Sequence, residues 1–169
     1  MPTHPEDSNQ AAEFNRVERL RQEREVLRAA RTLGVEVHVL NAGEEREFDG
    51  AFAKLGELRV SALMISADAF FTSHVEQLAT LAVRHAIPAV YARREFAKAG
   101  GLLSYGSDIT ESYRLAGIYT GRVLKGEKPA DLPVQQATKL DLIINLKAAK
   151  ALGINVPLPI LGRADEVIE

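Results

Sequence analysis

Helical and strand-like segments alternate along almost the whole chain, and this alternation is the strongest constraint on its fold. Strand-like runs are separated by 10 to 35 residues, and no turn between them has the composition of a hairpin. Such spacing is typical of βαβ units around a parallel sheet. We therefore predict a doubly wound α/β fold with helices on both faces of the sheet. The predicted strands are Val35–Leu40, Ala62–Ser66, Ile87–Tyr91, Leu102–Ser104 and Leu140–Ile144.

The series opens on a helix, which is unusual for this fold class. Residues 1–10 are polar, contain two prolines and are expected to form a flexible tail. An amphipathic pattern then runs from Ala11 to Leu33 and stops at Gly34, a residue suited to a helix C-terminus. Since no strand-like run precedes Ala11, we expect the chain to be a fragment of a larger fold.

Composition excludes several classes of function. The 169 residues are 46% hydrophobic and 26% charged, with a net charge of −2, so neither nucleic acid nor an anionic membrane surface is indicated as a partner. The absence of cysteine excludes disulfides and thiolate chemistry. The first residues lack the basic start and apolar stretch of a signal peptide, which predicts a cytoplasmic protein for the chain as written.

Ligands of open α/β sheets bind beyond the carboxyl ends of the strands, and the loops there supply the candidate site. Asp68, Phe70 and Phe71 follow the second predicted strand. The two adjacent aromatic rings cannot both point into one core, so one of them either lines a cleft or packs in the ordinary way. Both interpretations stay open.

The next two loops carry polar groups and a tyrosine. Arg94 and Glu95, beside Arg93, could hold a carboxylate and an amine through charge-assisted hydrogen bonds, although exposed arginines often do less. Ser104, Tyr105 and Gly106 offer a hydroxyl, a flat aromatic face and a close backbone approach. A plain turn is the alternative for this segment. Asp108 completes this set of candidates and also has the position of a helix N-cap.

The helix predicted over Asp108–Lys125 is apolar around most of its circumference, so a single sheet cannot bury it. Gly117 and Gly121 lie four residues apart, and each disfavours a helix by about 1 kcal/mol relative to alanine. We therefore expect a second element to pack closely on this helix. One such element is a second copy of the chain, which would contact Tyr113, Ile118 and Tyr119.

No catalytic residue, metal site or cofactor is predicted. The histidines at 4, 38, 74 and 85 lack the spacing of metal ligands, and we interpret them as structural or surface residues. The chain contains none of the GxGxxG, GxxxxGK[ST], GxSxG or HExxH motifs. A non-catalytic protein is expected.

Long stretches of the sequence resemble one family. The segments SYGSDITESYRLAGIYTGRVLKGEKPADLP and LIINLKAAKALG look like the end of an ABC-transporter substrate-binding protein of the type I periplasmic-binding-protein fold. Upstream, VEVHVLNAGEEREFDGAFAKL and ALMISADAFFTSHVEQLATLAVRHAIPAVYARREFAKAGG continue the similarity. It extends from about Leu27 to Glu169, and members include receptors for tryptophan and other aromatic amino acids.

The resemblance implies a receptor that closes two lobes on a small solute and delivers it to a membrane permease. Residues 11–107 would form the second lobe without its opening strand, and residues 108–169 would form the returning elements that join the two lobes. The cleft loops would be Asp68–Phe71, Tyr91–Phe96 and Ser104–Asp108. The resemblance also implies a periplasmic or cell-envelope location.

Two other functions are compatible with the same sequence. A stand-alone flavodoxin-like regulatory or dimerisation domain would account for the missing motifs and signal peptide. A small α/β enzyme with Asp68 or Glu95 as its acid–base group is the third possibility.

Overall fold

The computed structural model describes residues 22–134 and 139–169. The predicted tail at residues 1–10 and the first half of the predicted opening helix lie outside the described residues. The chain divides into two compact units, Met1–Asn41 and Ala42–Glu169. Within the described ranges, no helix is both long and apolar enough to cross a membrane.

The first unit contributes one described helix, α1, over residues 22–33. Gly34 follows it at a φ of 67°, a left-handed conformation that favours glycine, as the sequence predicts for this helix end.

The second unit contains the sheet and the remaining helices. The helices are α2 (Phe48–Glu57), α3 (Ala69–Ser73), α4 (Val75–Arg84), α5 (Arg94–Lys98), α6 (Ile109–Leu124), α7 (Leu146–Ala151) and α8 (Leu158–Leu161), with short 3₁₀ turns at Glu45–Glu47 and Pro129–Asp131. The strands are β1 (Leu63–Met64), β2 (Ala89–Tyr91), β3 (Leu103–Ser107), β4 (Leu140–Asn145) and β5 (Glu166–Ile168).

The five strands form one sheet in the order β1-β2-β3-β4-β5. The α/β fold predicted from the sequence is confirmed, but the sheet is mixed rather than wholly parallel. β1, β2 and β3 are mutually parallel and β5 is parallel to β4, whereas β4 runs antiparallel to β3. β4 begins at Leu140, which pairs with Ser107 at the end of β3, and the two strands then run in opposite directions.

The core of the second unit packs on one face of the sheet. Ala89 and Tyr91 of β2 point into it and are almost fully buried, together with Phe48, Leu78 and Phe96 from the surrounding helices. On the opposite face, alternation places exposed apolar side chains at Met64, Tyr105, Leu140 and Val167. The face that carries Ala89 and Tyr91 is therefore more deeply buried than the opposite face.

The strand predicted over residues 35–40 is wrong, since those residues belong to no strand. A strand requires a hydrogen-bonded neighbour, and in the flavodoxin-like order 2-1-3-4-5 the second strand pairs only with the opening one. The described residues before 35 include no strand. Val35 and Val39 accordingly keep about half of their surface exposed.

Aspartate and asparagine side chains cap α3, α6 and α7. Asp108 caps α6 by accepting a hydrogen bond from the Thr110 amide at 2.8 Å, and Asn145 caps α7 through the Ala148 amide at 3.0 Å. Ser73 and Glu76 have the sequence spacing of a capping box, but Ser73 ends α3 and α4 begins after His74. Asp68 provides the cap one helix earlier.

Candidate functional site

A small cavity lies between the loop after β2, the strands β3 and β4, and the start of α6. Its volume is about 20 Å³. Five residues singled out from the sequence line it: Arg94, Glu95, Ser104, Gly106 and Asp108. The topology brings them together because β2 and β3 are adjacent parallel strands whose carboxyl ends meet at one edge.

Gly106 lets two backbones approach closely at the mouth of this cavity. A Cβ atom at position 106 would collide with the carbonyl oxygen of Ala92, in the loop after β2. The sequence predicts close approach to a ligand at this glycine, whereas the structure shows close approach to the protein's own backbone. Only glycine fits this position without a shift of the chain.

The alternation of β3 separates Ser104 from Tyr105. Ser104 is 2% exposed, lies between Tyr91 on β2 and Ile143 on β4, and faces the cavity. Tyr105 points to the opposite face of the sheet and is about half exposed. Tyr105 and Ser104 therefore cannot act on a ligand from the same side of the sheet.

Arg94 is held by an ion pair with a residue 72 positions later in the sequence. Its Nη2 atom donates to Glu166 Oε2 of β5 at 2.7 Å. Its Nε atom is buried and has no hydrogen-bond partner among the described residues. Glu166 thus anchors the guanidinium through Nη2, while the Nε–H group has no hydrogen bond to a described residue. Glu95, the next residue, is exposed at the rim.

Asp108 contributes a carboxylate at the amino end of α6. The amide and hydroxyl of Thr110 hold the pKa of Asp108 below its usual value, and the charges of Arg94 and Lys139 act in the same direction. The group is therefore ionised at neutral pH.

Asp141 is a cavity residue that the sequence reasoning missed. It lies on β4 directly opposite Gly106, it lines the cavity, and its Oδ1 atom is buried. Lys139 Nζ lies 2.9 Å from that oxygen, which makes an ion pair and raises the pKa of the lysine. A carboxylate inside the otherwise apolar run Leu140–Ile144 is the signal by which it could have been found.

The other predicted loop packs against the core and does not line this cavity. Asp68 Oδ1 accepts from the Phe70 amide at 2.7 Å and so caps α3. The rings of Phe70 and Phe71 lie 5.4 and 6.2 Å from that of Phe48, in tilted aromatic contacts. The structure therefore places these side chains in packing and capping roles, away from Arg94 and Asp108.

His74 and His85 likewise take part in local packing. His74 Nδ1 lies 2.8 Å from the carbonyl oxygen of Phe70, and the His85 ring packs 5.6 Å from that of Phe52. No cluster of three or more histidine, aspartate or glutamate side chains suited to a metal ion occurs within residues 22–134 and 139–169.

Fold and cavity together define an α/β domain of the periplasmic-binding-protein type. The model of the ABC transporter substrate binding protein family matches residues 13–168, and the chain belongs to this family. A comparison with curated proteins gave no match.

Solved structures support the same assignment. A conserved domain protein of Vibrio cholerae O1 biovar El Tor is 26% identical, with a TM-score of 0.77 over 86% of this chain and 49% of that one. An ABC domain of Streptococcus pneumoniae in complex with L-Trp is 26% identical, with a TM-score of 0.78 over 87% of this chain and 50% of that one. A ligand-free, open substrate-binding protein of Clostridium difficile, CD0873, described as having adhesive properties, shares the fold at 22% identity. Its TM-score is 0.65, over 90% of this chain and 50% of that one. The chain thus spans about half the length of the solved structures it matches.

Proposed function

We propose that the chain contributes part of the solute site of an ABC importer's substrate-binding component, and that the solute is an amino acid. The observation that carries this proposal is the cluster of Arg94, Ser104, Asp108 and Asp141 at the carboxyl edge of β2 and β3, in a chain of the substrate-binding family. The complex of a similar domain with L-Trp favours an amino acid. The family is a binding class, which agrees with a non-catalytic function.

The charges of the cluster suit a zwitterion. The unused donor of Arg94 would take the carboxylate of an amino acid, while Asp108 and the exposed Glu95 would attract its ammonium group. The buried hydroxyl of Ser104 would add a neutral hydrogen bond. A separate prediction is that the ring of Tyr105, Phe70 or Phe71 stacks on the solute.

The small volume of the cavity suggests that the carboxyl ends of β2 and β3 form only half of a solute site. A cavity of about 20 Å³ holds roughly one water molecule, so an amino acid must lie over the edge, where a second surface would cover it. A second lobe closing on the solute would provide that surface. We accordingly propose that the chain alone binds weakly or not at all.

A titration of the ¹⁵N-labelled chain with L-Trp, L-Leu and L-Glu tests this function. Amide shifts confined to residues 92–95 and 104–109 at high solute concentration are expected in the wild type and lost in Arg94→Gln. Arg84→Gln is the matched control, since Arg84 pairs with Asp49 on the surface and lies outside the cavity. Shifts that survive Arg94→Gln, or that centre on α3, would place the solute elsewhere.

Delivery to an ABC permease in the cell envelope completes the proposed transport role. Support for it comes from the family alone. Crosslinking of the full gene product to its permease in membranes, with solute added or withheld, would test it. Recovery of the protein only from the cytoplasm would contradict a location in the envelope.

We also propose that copies of the chain associate through α6, which would suit a dimerisation or regulatory domain as the second candidate function. No residue of α6 is buried, and Tyr113 and Leu124 are 72% and 83% exposed. Of the three predicted contact residues, Tyr113 and Ile118 are exposed. Tyr119 instead donates a hydrogen bond to the carbonyl oxygen of Pro133 at 2.6 Å.

Sedimentation at several concentrations distinguishes the two candidates. A dimer that dissociates in Tyr113→Asp but persists in Thr80→Asp, an exposed position on α4, would support association through α6. A monomer at every concentration would exclude it. A monomer that binds an amino acid at micromolar concentration would contradict both the association and the half-site.

A further inference from the structure

The ion pair between Arg94 and Glu166 links the candidate cavity to β5. Arg94 Nη2 donates to Glu166 Oε2 at 2.7 Å, and the two side chains keep 39% and 38% of their surface exposed. Because the pair is partly buried, solvent screens it less than it screens a fully exposed pair. Arg94 lines the cavity and Glu166 does not, so Arg94 is the contact through which Glu166 acts on the cavity.

The fold brings these two residues to the same face of the sheet. Glu166 is paired with Ile143 of β4, which is paired with Ser104 of β3, and residues paired in this way direct their side chains to one face. Arg94 begins α5, which packs against β3 and β4. Its side chain therefore meets β5 on the face that carries the cavity.

Among the described residues that line the cavity or belong to their ion pairs, carboxylates outnumber cations. The cationic side chains are Arg93, Arg94 and Lys139, and the carboxylates are Glu95, Asp108, Asp141, Asp165 and Glu166. Lys139 Nζ lies 2.9 Å from Asp141 and 3.5 Å from Asp165. Hydrogen bonds from Thr110 are the main cause of the lowered pKa of Asp108, and the charges of Arg94 and Lys139 add to the effect. Carboxylates of the protein thus already engage both Arg94 and Lys139.

We propose that Glu166 is a specificity-determining residue of the solute site, an inference that rests on the proposed function. Glu166 balances the charge of Arg94 through Nη2 and leaves its Nε–H group without a hydrogen bond to a described residue. An amino acid with one carboxylate suits such a site. The second carboxylate of glutamate or aspartate would meet the excess of negative charge. Repulsion of this kind selects neutral over acidic amino acids without any added contact to the favoured solute.

The test compares L-Glu with L-Gln, which have nearly the same shape and differ by one charge. Amide shifts of residues 92–95 and 104–109 in the ¹⁵N-labelled chain give the two dissociation constants. The wild type should prefer L-Gln, and Glu166→Gln should reduce that preference roughly fivefold, the effect of one partly exposed charge. Glu166→Asp retains the charge and should keep the wild-type preference. Glu57→Gln, at an exposed pair with Lys54 outside the cavity, is the control and should also keep it.

The ratio of the two dissociation constants separates specificity from a purely structural role. If Glu166→Gln only loosened β5, binding of L-Gln and L-Glu would weaken alike and the ratio would stay constant, which would overturn the inference. Equal binding of both solutes by the wild type would overturn it as well. That result is expected if Arg93, the other cation that lines the cavity, receives the second carboxylate.

A titration with acetate, a monocarboxylate without an ammonium group, keeps this inference distinct from the proposed function. Acetate should shift the Nε–H signal of Arg94 more in Glu166→Gln than in the wild type or in Glu57→Gln. If no amino acid shifts the cavity amides but acetate gives this result, the proposed function fails and the control of Arg94 by Glu166 stands. If amino acids bind and acetate acts equally on all three proteins, the inference fails and the proposed function stands.

Discussion

At the scale of single residues, the contact between Gly106 and Ala92 sets the geometry of the candidate site. A Cβ at position 106 would overlap the Ala92 carbonyl oxygen, which belongs to rigid backbone and cannot turn away as a flexible side chain would. The contact joins β3 to the loop that carries Arg94. Moving either segment would open the cavity.

We predict that Gly106→Ala destabilises the chain by roughly 1 to 3 kcal/mol, the usual cost of overpacking. Gly56→Ala is the matched control, because a Cβ there meets no neighbour and alanine favours helix α2. Urea unfolding followed by circular dichroism would measure both. Equal free energies of unfolding for the two variants would show that the backbone at Ala92 can shift without destabilising the chain.

The second prediction at this scale concerns the stability of the start of α6 at acidic pH. Hydrogen bonds from Thr110 lower the pKa of Asp108 below its usual 3.8, so the carboxylate stabilises the start of α6 above about pH 3.8. That contribution is lost as the pH falls through the lower folded value. The Thr110 amide shift should titrate with a midpoint below 3.8 in the wild type and stay constant in Asp108→Asn. A midpoint at or above 3.8 would contradict the cap.

At the scale of secondary-structure elements, α6 has no residue that the described part of the chain buries. The two glycines predict that another element packs closely on α6. A Cβ at Gly117 or Gly121 would nevertheless meet no atom within 4 Å. The expected close partner is therefore not provided by the described part of this chain.

We predict that Gly117→Ala and Gly121→Ala each stabilise the dilute chain by about 1 kcal/mol, since alanine favours a solvent-exposed helix. Thermal unfolding at low concentration would measure this. The same substitutions should weaken association if two copies approach closely at these positions. Destabilisation of the dilute monomer would mean that α6 is already packed.

Most helices and strands could be predicted from local sequence patterns. The predictions failed where the structure of a segment depends on another strand that pairs with it. Asp108 and Asn145 cap helices because their side chains bond amides two or three residues away, which spacing alone reveals. Residues 35–40 have the composition of a strand, but pairing requires another strand. The reversed direction of β4 was equally hidden, since no local pattern encodes the direction of a neighbour.

The candidate site was predictable only in part, for the same reason. The rule that ligands bind beyond the carboxyl ends of strands located Arg94, Ser104 and Asp108, which the structure brings to one cavity. Asp141 comes from an antiparallel strand and fell outside that rule. Phe70 and Phe71 satisfied the rule by position, yet their rings lie against Phe48, which only the tertiary fold could show.

At the scale of the whole molecule, apolar side chains are exposed on one face of the sheet and on α6. Met64, Tyr105 and Leu140 are exposed on one face of the sheet, and Tyr113 and Leu124 on α6. The chain spans about half the length of the solved structures it matches. A half-site at the edge of β2 and β3 agrees with both observations.

The most direct test of this half-site is the affinity for amino acids of the isolated chain, compared with that of a chain joined to a complementary first lobe from a family member. Isothermal titration calorimetry with L-Trp and a panel of other amino acids would measure both. The account predicts no measurable heat for the isolated chain at micromolar concentration, with binding restored on joining the lobe and lost again in Arg94→Gln. Micromolar binding by the isolated chain, or binding by the joined protein that is indifferent to Arg94→Gln, would contradict it.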